Sequence, residues 1–242
     1  MISSPMARAL LLLKSGGRTP DLAGSCEAAA RALGVDALAV ALLTGTGRSE
    51  TLWCSDDTAH RFDDLQFTLG EGPGHDAART GRSVLVPDLT RLRVDRWPAL
   101  ATEVPALPVR AVFCLPLGIG AINVGVLTAV RRTPGPLTGP QTDDALVLAS
   151  ALTARYLGGP DTWLAASDTE FSPALLRAVV HQATGMLSVQ LSVPLPQALL
   201  RLRAHAYSTG RPIGDISRDV VDRRLHLDDN DRGDPPGGGG KD

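Results

Sequence analysis

The apolar residues of this chain fall into two regimes, and no single layer of secondary structure accommodates both. Between residues 37 and 131 they come in short runs bounded by glycine and proline, at 37–43, 84–86, 110–117 and 123–131. Runs of that length and punctuation are read as strands. From Pro173 onward they recur at steps of three and four: Leu175, Leu176, Val179, Val180, Ala183, Met186 and Leu187, then Ala198, Leu199, Leu202 and Ala206, then Ile213, Ile216, Val220 and Val221. Those are three successive helix faces. Between the two regimes stand Gly158-Gly159-Pro160 and an acidic stretch to Glu170. The pattern therefore predicts an α+β domain, a linker, and a small all-α domain.

The first part reads in more detail as follows. Residues 23–33 form a helix with Cys26, Ala29, Ala30 and Leu33 on one face and Gly34 as its C-cap. Strands follow at 37–43 and 50–55, joined through Thr44-Gly45-Thr46-Gly47. The segment Leu69-Gly70-Glu71-Gly72-Pro73-Gly74 is too glycine-rich for a regular element and leads into a helix over 76–80, ended by Gly81. Gly118-Ile119-Gly120 is half of a dinucleotide fingerprint, but it joins two antiparallel strands and reads as a hairpin. Thr138 caps a long helix with Leu146, Ala149, Leu152, Thr153 and Tyr156 near its apolar face. This order predicts an antiparallel sheet with helices packed against one side.

The second part opens on Ser172-Pro173, an N-cap and N1 pair, and its three stripes make a three-helix bundle over 171–227. Its charge differs from its surroundings. Residues 171–227 hold seven arginines against Asp215, Asp219 and Asp222, inside a chain whose formal net charge is -2. Such a local excess suits a phosphate backbone. Arg201, Arg203, Arg211, Arg218, Arg223 and Arg224 are the candidate phosphate contacts, with His181 and His205 as stacking or hydrogen-bonding partners. The tail, 228–242, carries five acidic residues, Pro235, Pro236 and four consecutive glycines, a composition expected to stay disordered.

Other function classes lack a foothold. No apolar run reaches the length of a membrane span, and no secretory leader is recognisable at residues 1–20, read as an N-terminal extension. Cys26, Cys54 and Cys114 have no metal-ligand spacing and read as small buried hydrophobes, which fits a cytoplasmic setting. His60 and His75, among several aspartates, show no ordered metal spacing either. There is no GxSxG elbow, P-loop or surviving carboxylate pair. The expectation is a protein without catalytic residues, metal or cofactor.

The stretches LGVDALAVALLTGTGRSETLWCSDD, LQFTLGEGPGHDAARTGRSVLVPDL and RAVFCLPLGIGAINVGVLTAVRRTPGPLT make residues 21–157 resemble a GAF domain. That resemblance implies a small-molecule or signal-sensing fold with a cup between the sheet and its middle section, for which Trp53, Phe67, Trp97 and Phe113 are the candidate lining. Relatives often carry a cysteine where Gly74 stands. In the second part, LLRAVVHQATGMLSVQL, QALLRLRAHAYSTGR and IGDISRDVV resemble an ANTAR domain. Gln182-Ala183-Thr184-Gly185 matches that family's Gln-Ala-Lys-Gly motif, with Thr184 in the lysine's place, and Gly210 replaces an asparagine before the matching Arg211. The chain as a whole is similar to the two-domain actinobacterial GAF and ANTAR regulators. The likeness implies a homodimer that binds structured RNA hairpins in transcription antitermination, under control of a small ligand or partner protein at the GAF-like domain. The competing expectation is a signalling or assembly module whose second domain binds a protein instead of RNA.

Overall fold

Along the three inner strands of the sheet, successive side chains enter two different cores. A computed structural model describes residues 2–15, 22–43, 49–92, 95–120, 122–157 and 173–227. Five strands, β1 (Ala37–Leu43), β2 (Ser49–Cys54), β3 (Val84–Val86), β4 (Ala111–Ile119) and β5 (Ile122–Arg131), form one antiparallel sheet in the order β2-β1-β5-β4-β3. Leu38, Val40, Phe113, Leu115, Leu127 and Ala129 point to one face, while Ala37, Ala39, Val112, Cys114, Val126 and Val130 point to the other. With both faces covered, these strands read as continuous apolar runs and not as an alternation.

The first face is covered by α1 (Ser4–Ser15), α2 (Leu22–Leu33) and α6 (Gly139–Leu157). The second is covered by α3 (Asp57–Leu69), α4 (Pro73–Thr80) and α5 (Pro98–Glu103), through Ala59, Phe62, Ala77 and Leu100. The expectation of helices on one side only is thus corrected: α3 was hidden among charged residues. Asp56 caps it, accepting the Ala59 N–H at 2.8 Å, and Gly70, at φ 70°, ends it.

Residues 1–20, read from the sequence as an extension, include a core helix. Met6, Ala9 and Leu13 of α1 are buried against the first face. Its start is fixed by Asp144 of α6, whose carboxylate accepts the Ser3 N–H at 3.0 Å and the Ser3 hydroxyl. Near its end the Arg155 guanidinium donates to the Leu13 carbonyl at 2.8 Å. Because Asp144 turns inward to make that contact, the buried stripe of α6 runs through Ala145, Leu148, Ala149 and Leu152, and Leu146 is exposed instead of buried. Thr138 does start α6: its hydroxyl accepts the Gln141 N–H while the Gln141 side chain accepts the Thr138 N–H, a capping box.

The chain divides into two units, Met1–Leu175 and Leu176–Asp242. The described helices of the second are α7 (Pro173–Gln190), α8 (Leu195–Thr209) and α9 (Ile213–Val221). Val180, Ala183 and Leu187, all four expected residues of α8, and Ile213, Ile216 and Val220 are buried; Val221 is only half-buried. The hairpin connection at 44–47, Ser172, the linker at 158–170 and the tail at 228–242 lie outside the described residues.

Candidate functional site

On the second sheet face of the first unit, polar groups lie inside an otherwise apolar core. Asp63 and Gln66 of α3, Thr51 of β2, Thr128 of β5 and Cys114 of β4 are all buried. The Thr51 hydroxyl donates to the Asp63 carboxylate. Cys114 Sγ and Thr128 Oγ1 lie 3.7 Å apart. Burial pushes the Cys114 thiol up to about 12; the Thr128 hydrogen bond pulls against that shift and the Asp63 charge adds to it. The thiol is therefore a packed, protonated group at neutral pH and not a nucleophile.

The glycine-rich loop after α3 is folded around Gln66. Its Oε1 accepts the Gly74 N–H at 2.7 Å, and its backbone carbonyl lies 3.0 Å from His75 Nε2. Pro73 occupies the first turn of α4, so this helix starts three residues before the expected 76. A Cβ at Gly74 would stand 3.1 Å from Gln66 Oε1, so the Gln66 side chain occupies the space that a larger residue there would use. Further out, burial opposes ionisation of Asp76, yet the Arg79 and Arg96 guanidinia at 3.0 and 3.1 Å outweigh it and hold the carboxyl below its ordinary range. Arg96 in turn stacks over Trp97 at 4.2 Å.

The four aromatics expected to line a cup do not converge. Trp53 and Phe113 belong to the first face, with α1, α2 and α6. Trp97 belongs to the second, and Phe67 is buried on α3. Strand alternation explains the split: Phe113 precedes Cys114, and consecutive strand residues face opposite ways. Sequence reasoning missed the buried polar set, because Thr51 meets Asp63, and Cys114 meets Thr128, only once the sheet has formed. A cleft of about 240 Å³ opens elsewhere, where the end of α4 meets the β4–β5 hairpin, beside Thr80, Gly81, Pro116 and Asn123. The Asn123 amide donates there to the Ala78 carbonyl at 2.6 Å. Among the described residues no group of three or more His, Cys, Asp or Glu side chains converges as a metal site would require.

In the second unit the expected RNA-contacting residues fall into three sets. Thr184 is corrected: it is 1% exposed, and its hydroxyl donates to the Val180 carbonyl at 2.7 Å, so it faces the helix core and not a ligand. The reason is position, since Thr184 lies between Ala183 and Leu187 on the buried side of α7. His181 lies on the same helix and is half-buried. Arg201, Arg203 and His205 lie along α8 and are half-buried. Arg211 and Arg218 are exposed but carboxylate-paired, Arg211 to Asp219 at 2.7 Å and Arg218 to Asp215 at 2.5 Å. Asp219 also takes Arg224 at 3.1 Å. The Arg211 hydrogen bond, with Arg224 beside it, holds the Asp219 carboxyl below its ordinary range despite some opposing desolvation.

A family model identifies the antiparallel sheet with helices on both faces. The GAF domain model matches residues 22–156, and the chain belongs to the GAF domain family, a family of ligand-sensing signalling modules. A search of the curated proteins finds no match. Solved structures similar to this chain include the GAF domain of a phosphoenolpyruvate-protein phosphotransferase from Coxiella burnetii, at 14% identity and TM-score 0.48, covering 64% of this chain and 96% of that one. The corresponding domain from Acinetobacter is 15% identical with TM-score 0.47, covering 62% and 89%. Free methionine-R-sulfoxide reductase from Neisseria meningitidis, solved with its substrate, is 14% identical with TM-score 0.46, covering 66% and 89%. Among the described residues no helix is long and apolar enough to cross a membrane.

Proposed function

We propose that this chain is a signal-responsive regulator in which the GAF domain controls RNA binding by the three-helix unit, in the manner of a transcription antiterminator of the ANTAR type. The observation that carries the reading is the arginine-rich surface of that unit. Arg211, Arg218, Arg223 and Arg224 are exposed, and Arg201 and Arg203 lie half-buried on α8. Guanidinium groups contact phosphates and stack on splayed bases. A signal received at the first unit shifts the population in which this surface is available, and the regulator acts as a homodimer in the cytoplasm, without enzymatic activity.

The test is retention of a pool of structured cellular RNAs by the purified chain, at about 50 and 200 mM salt, beside the Arg203→Ala/Arg211→Ala double variant. Enrichment of hairpins that falls with salt and with the double variant is the expected result, because each phosphate contact releases counterions. Equal retention by both proteins contradicts the reading.

A second reading has its own observation. Leu200 is 65% and Tyr207 49% exposed on α8, and Ala204 between them is also exposed. Residues four and seven apart share a helix face, so α8 presents an apolar stripe opposite the one it buries. A protein partner would use that stripe. Leu200→Glu separates the readings: it abolishes capture of a protein partner and leaves salt-dependent RNA retention unchanged.

A further inference from the structure

Among the described residues, six helices are followed by a residue in the left-handed region. After α2, α3, α4 and α8 it is a glycine: Gly34, Gly70, Gly81 and Gly210, with φ between 60° and 70°. After α7 it is the small Ser192, at φ 53°; after α9 it is Arg223, at φ 58°. Glycine dominates such positions because any Cβ is crowded there. The Arg223 turn is nonetheless fully formed. The Arg224 and Leu225 N–H groups both donate to the Asp219 carbonyl, at 2.7 and 3.0 Å, which satisfies the end of α9. A long cationic side chain thus occupies a left-handed turn of the kind that holds glycine at four of the other five.

The charges around it set Arg223 apart. Arg211 and Arg224 are both tied to Asp219, Arg224 also reaches Asp222 at 2.7 Å, and Arg218 is tied to Asp215. Arg223 is exposed and forms no ion pair among the described residues. All five of its N–H donors stay available, while the flanking guanidinia are oriented and partly neutralised by their carboxylates.

We propose that Arg223 is a phosphate-contacting residue for RNA, presented outward on this left-handed turn, and that Asp219 is a positioning residue that holds Arg211 and Arg224 on either side of it. This rests on the RNA reading above. Left-handed strain retained at an exposed, charged residue is the kind of outlier from which a functional role is inferred.

The experiment uses the full chain, with Arg223→Gly, Arg223→Lys and, as a control, Arg82→Ala at an exposed arginine of the first unit. Each protein is melted, and filter retention of a labelled pool of structured cellular RNAs is followed from about 50 to 200 mM salt. Arg223→Gly relieves the turn and is expected to raise the melting temperature of the three-helix unit by about 2–4 °C. The same variant is expected to weaken RNA retention at about 50 mM salt by roughly 3–10-fold and to flatten the log–log salt slope by about 0.7–0.9. Arg223→Lys keeps the slope, and Arg82→Ala changes neither reading. Arg223→Gly with wild-type affinity and slope overturns the proposal and leaves the RNA reading standing. Arg223→Gly that binds more weakly but also melts lower assigns Arg223 a structural role and overturns it too. A wild-type chain with no salt-dependent retention removes the RNA reading, and this proposal with it.

Discussion

The two units of this chain bury their cores on different scales. Among the described residues, large fully buried side chains are concentrated in the first unit, from Met6 and Phe62 to Leu148 and Leu152, while the second contributes Leu187, Leu202 and Ile216. The first unit has two apolar layers, one on each sheet face. The second closes one small core with alanines, Ala183, Ala198 and Ala206, among its buried residues. A small core leaves little reserve, because buried area falls with size faster than conformational entropy does. The first unit is therefore expected to be the more stable of the two. Under the proposed function, that difference would let a signal alter the availability of the smaller unit.

The largest expected effect comes from equal truncations in the two cores. Leu202→Ala in α8 and Leu152→Ala in α6 each remove a fully buried leucine, at a cost of about 2–5 kcal/mol. Leu202→Ala is expected to abolish the helical signal and protease resistance of the second unit at 25 °C. Leu152→Ala lowers the melting temperature of the first unit but leaves it folded. Limited proteolysis with mass spectrometry reads both, and equal loss in the two units breaks the comparison.

Cysteine labelling sharpens it from the other side. At pH 8 the Cys114 thiol, pushed up to about 12 and buried, is expected to stay unalkylated in the native chain and to react only after denaturation, while half-buried Cys54 reacts at least tenfold faster. Similar native rates at both would show the second sheet face to be open.

Gly210→Ala tests the ends of the helices. Gly210 sits at φ 62° with nothing near its missing Cβ, so the cost is conformational alone, about 1 kcal/mol. In the small unit that lowers the melting temperature by about 4 °C or more; a neutral result would show that the α8–α9 turn is not locked.

The smallest effect is in pH. The Asp219 carboxyl lies below its ordinary 3.8 when folded. Its link to Arg211 and Arg224 therefore adds stability above pH about 4, and that contribution is lost as pH falls through the folded value. Carboxyl carbon shifts in a pH titration should place the Asp219 midpoint below that of an exposed aspartate, and Arg211→Ala should move it up. A midpoint unmoved by Arg211→Ala would remove the pairing.

Much of this architecture was legible because its signals are local. The runs at 37–43 and 84–86 are strands with those bounds, and the inward faces of α8 and α9 follow helical spacing. What was hidden depends on contacts distant in sequence. Helix α1 owes its place to Asp144, more than a hundred residues away. Helix α3 pairs Phe62 and Phe67 with the inward polar residues Asp63 and Gln66, which mask its apolar face. The buried set of Thr51, Asp63, Cys114 and Thr128 is assembled by strand register and appears in no motif. Thr184 was a candidate only through a motif resemblance, and its side chain points into the core.

The division of labour between the units is most directly tested by hydrogen exchange of the full chain with and without the pool of structured cellular RNAs. At about 50 mM salt, RNA should slow exchange in peptides spanning 199–224 and leave those of β1, β4 and β5 unchanged, and the protection should fade by about 200 mM. Protection on the strands, or none on 199–224, would contradict the account.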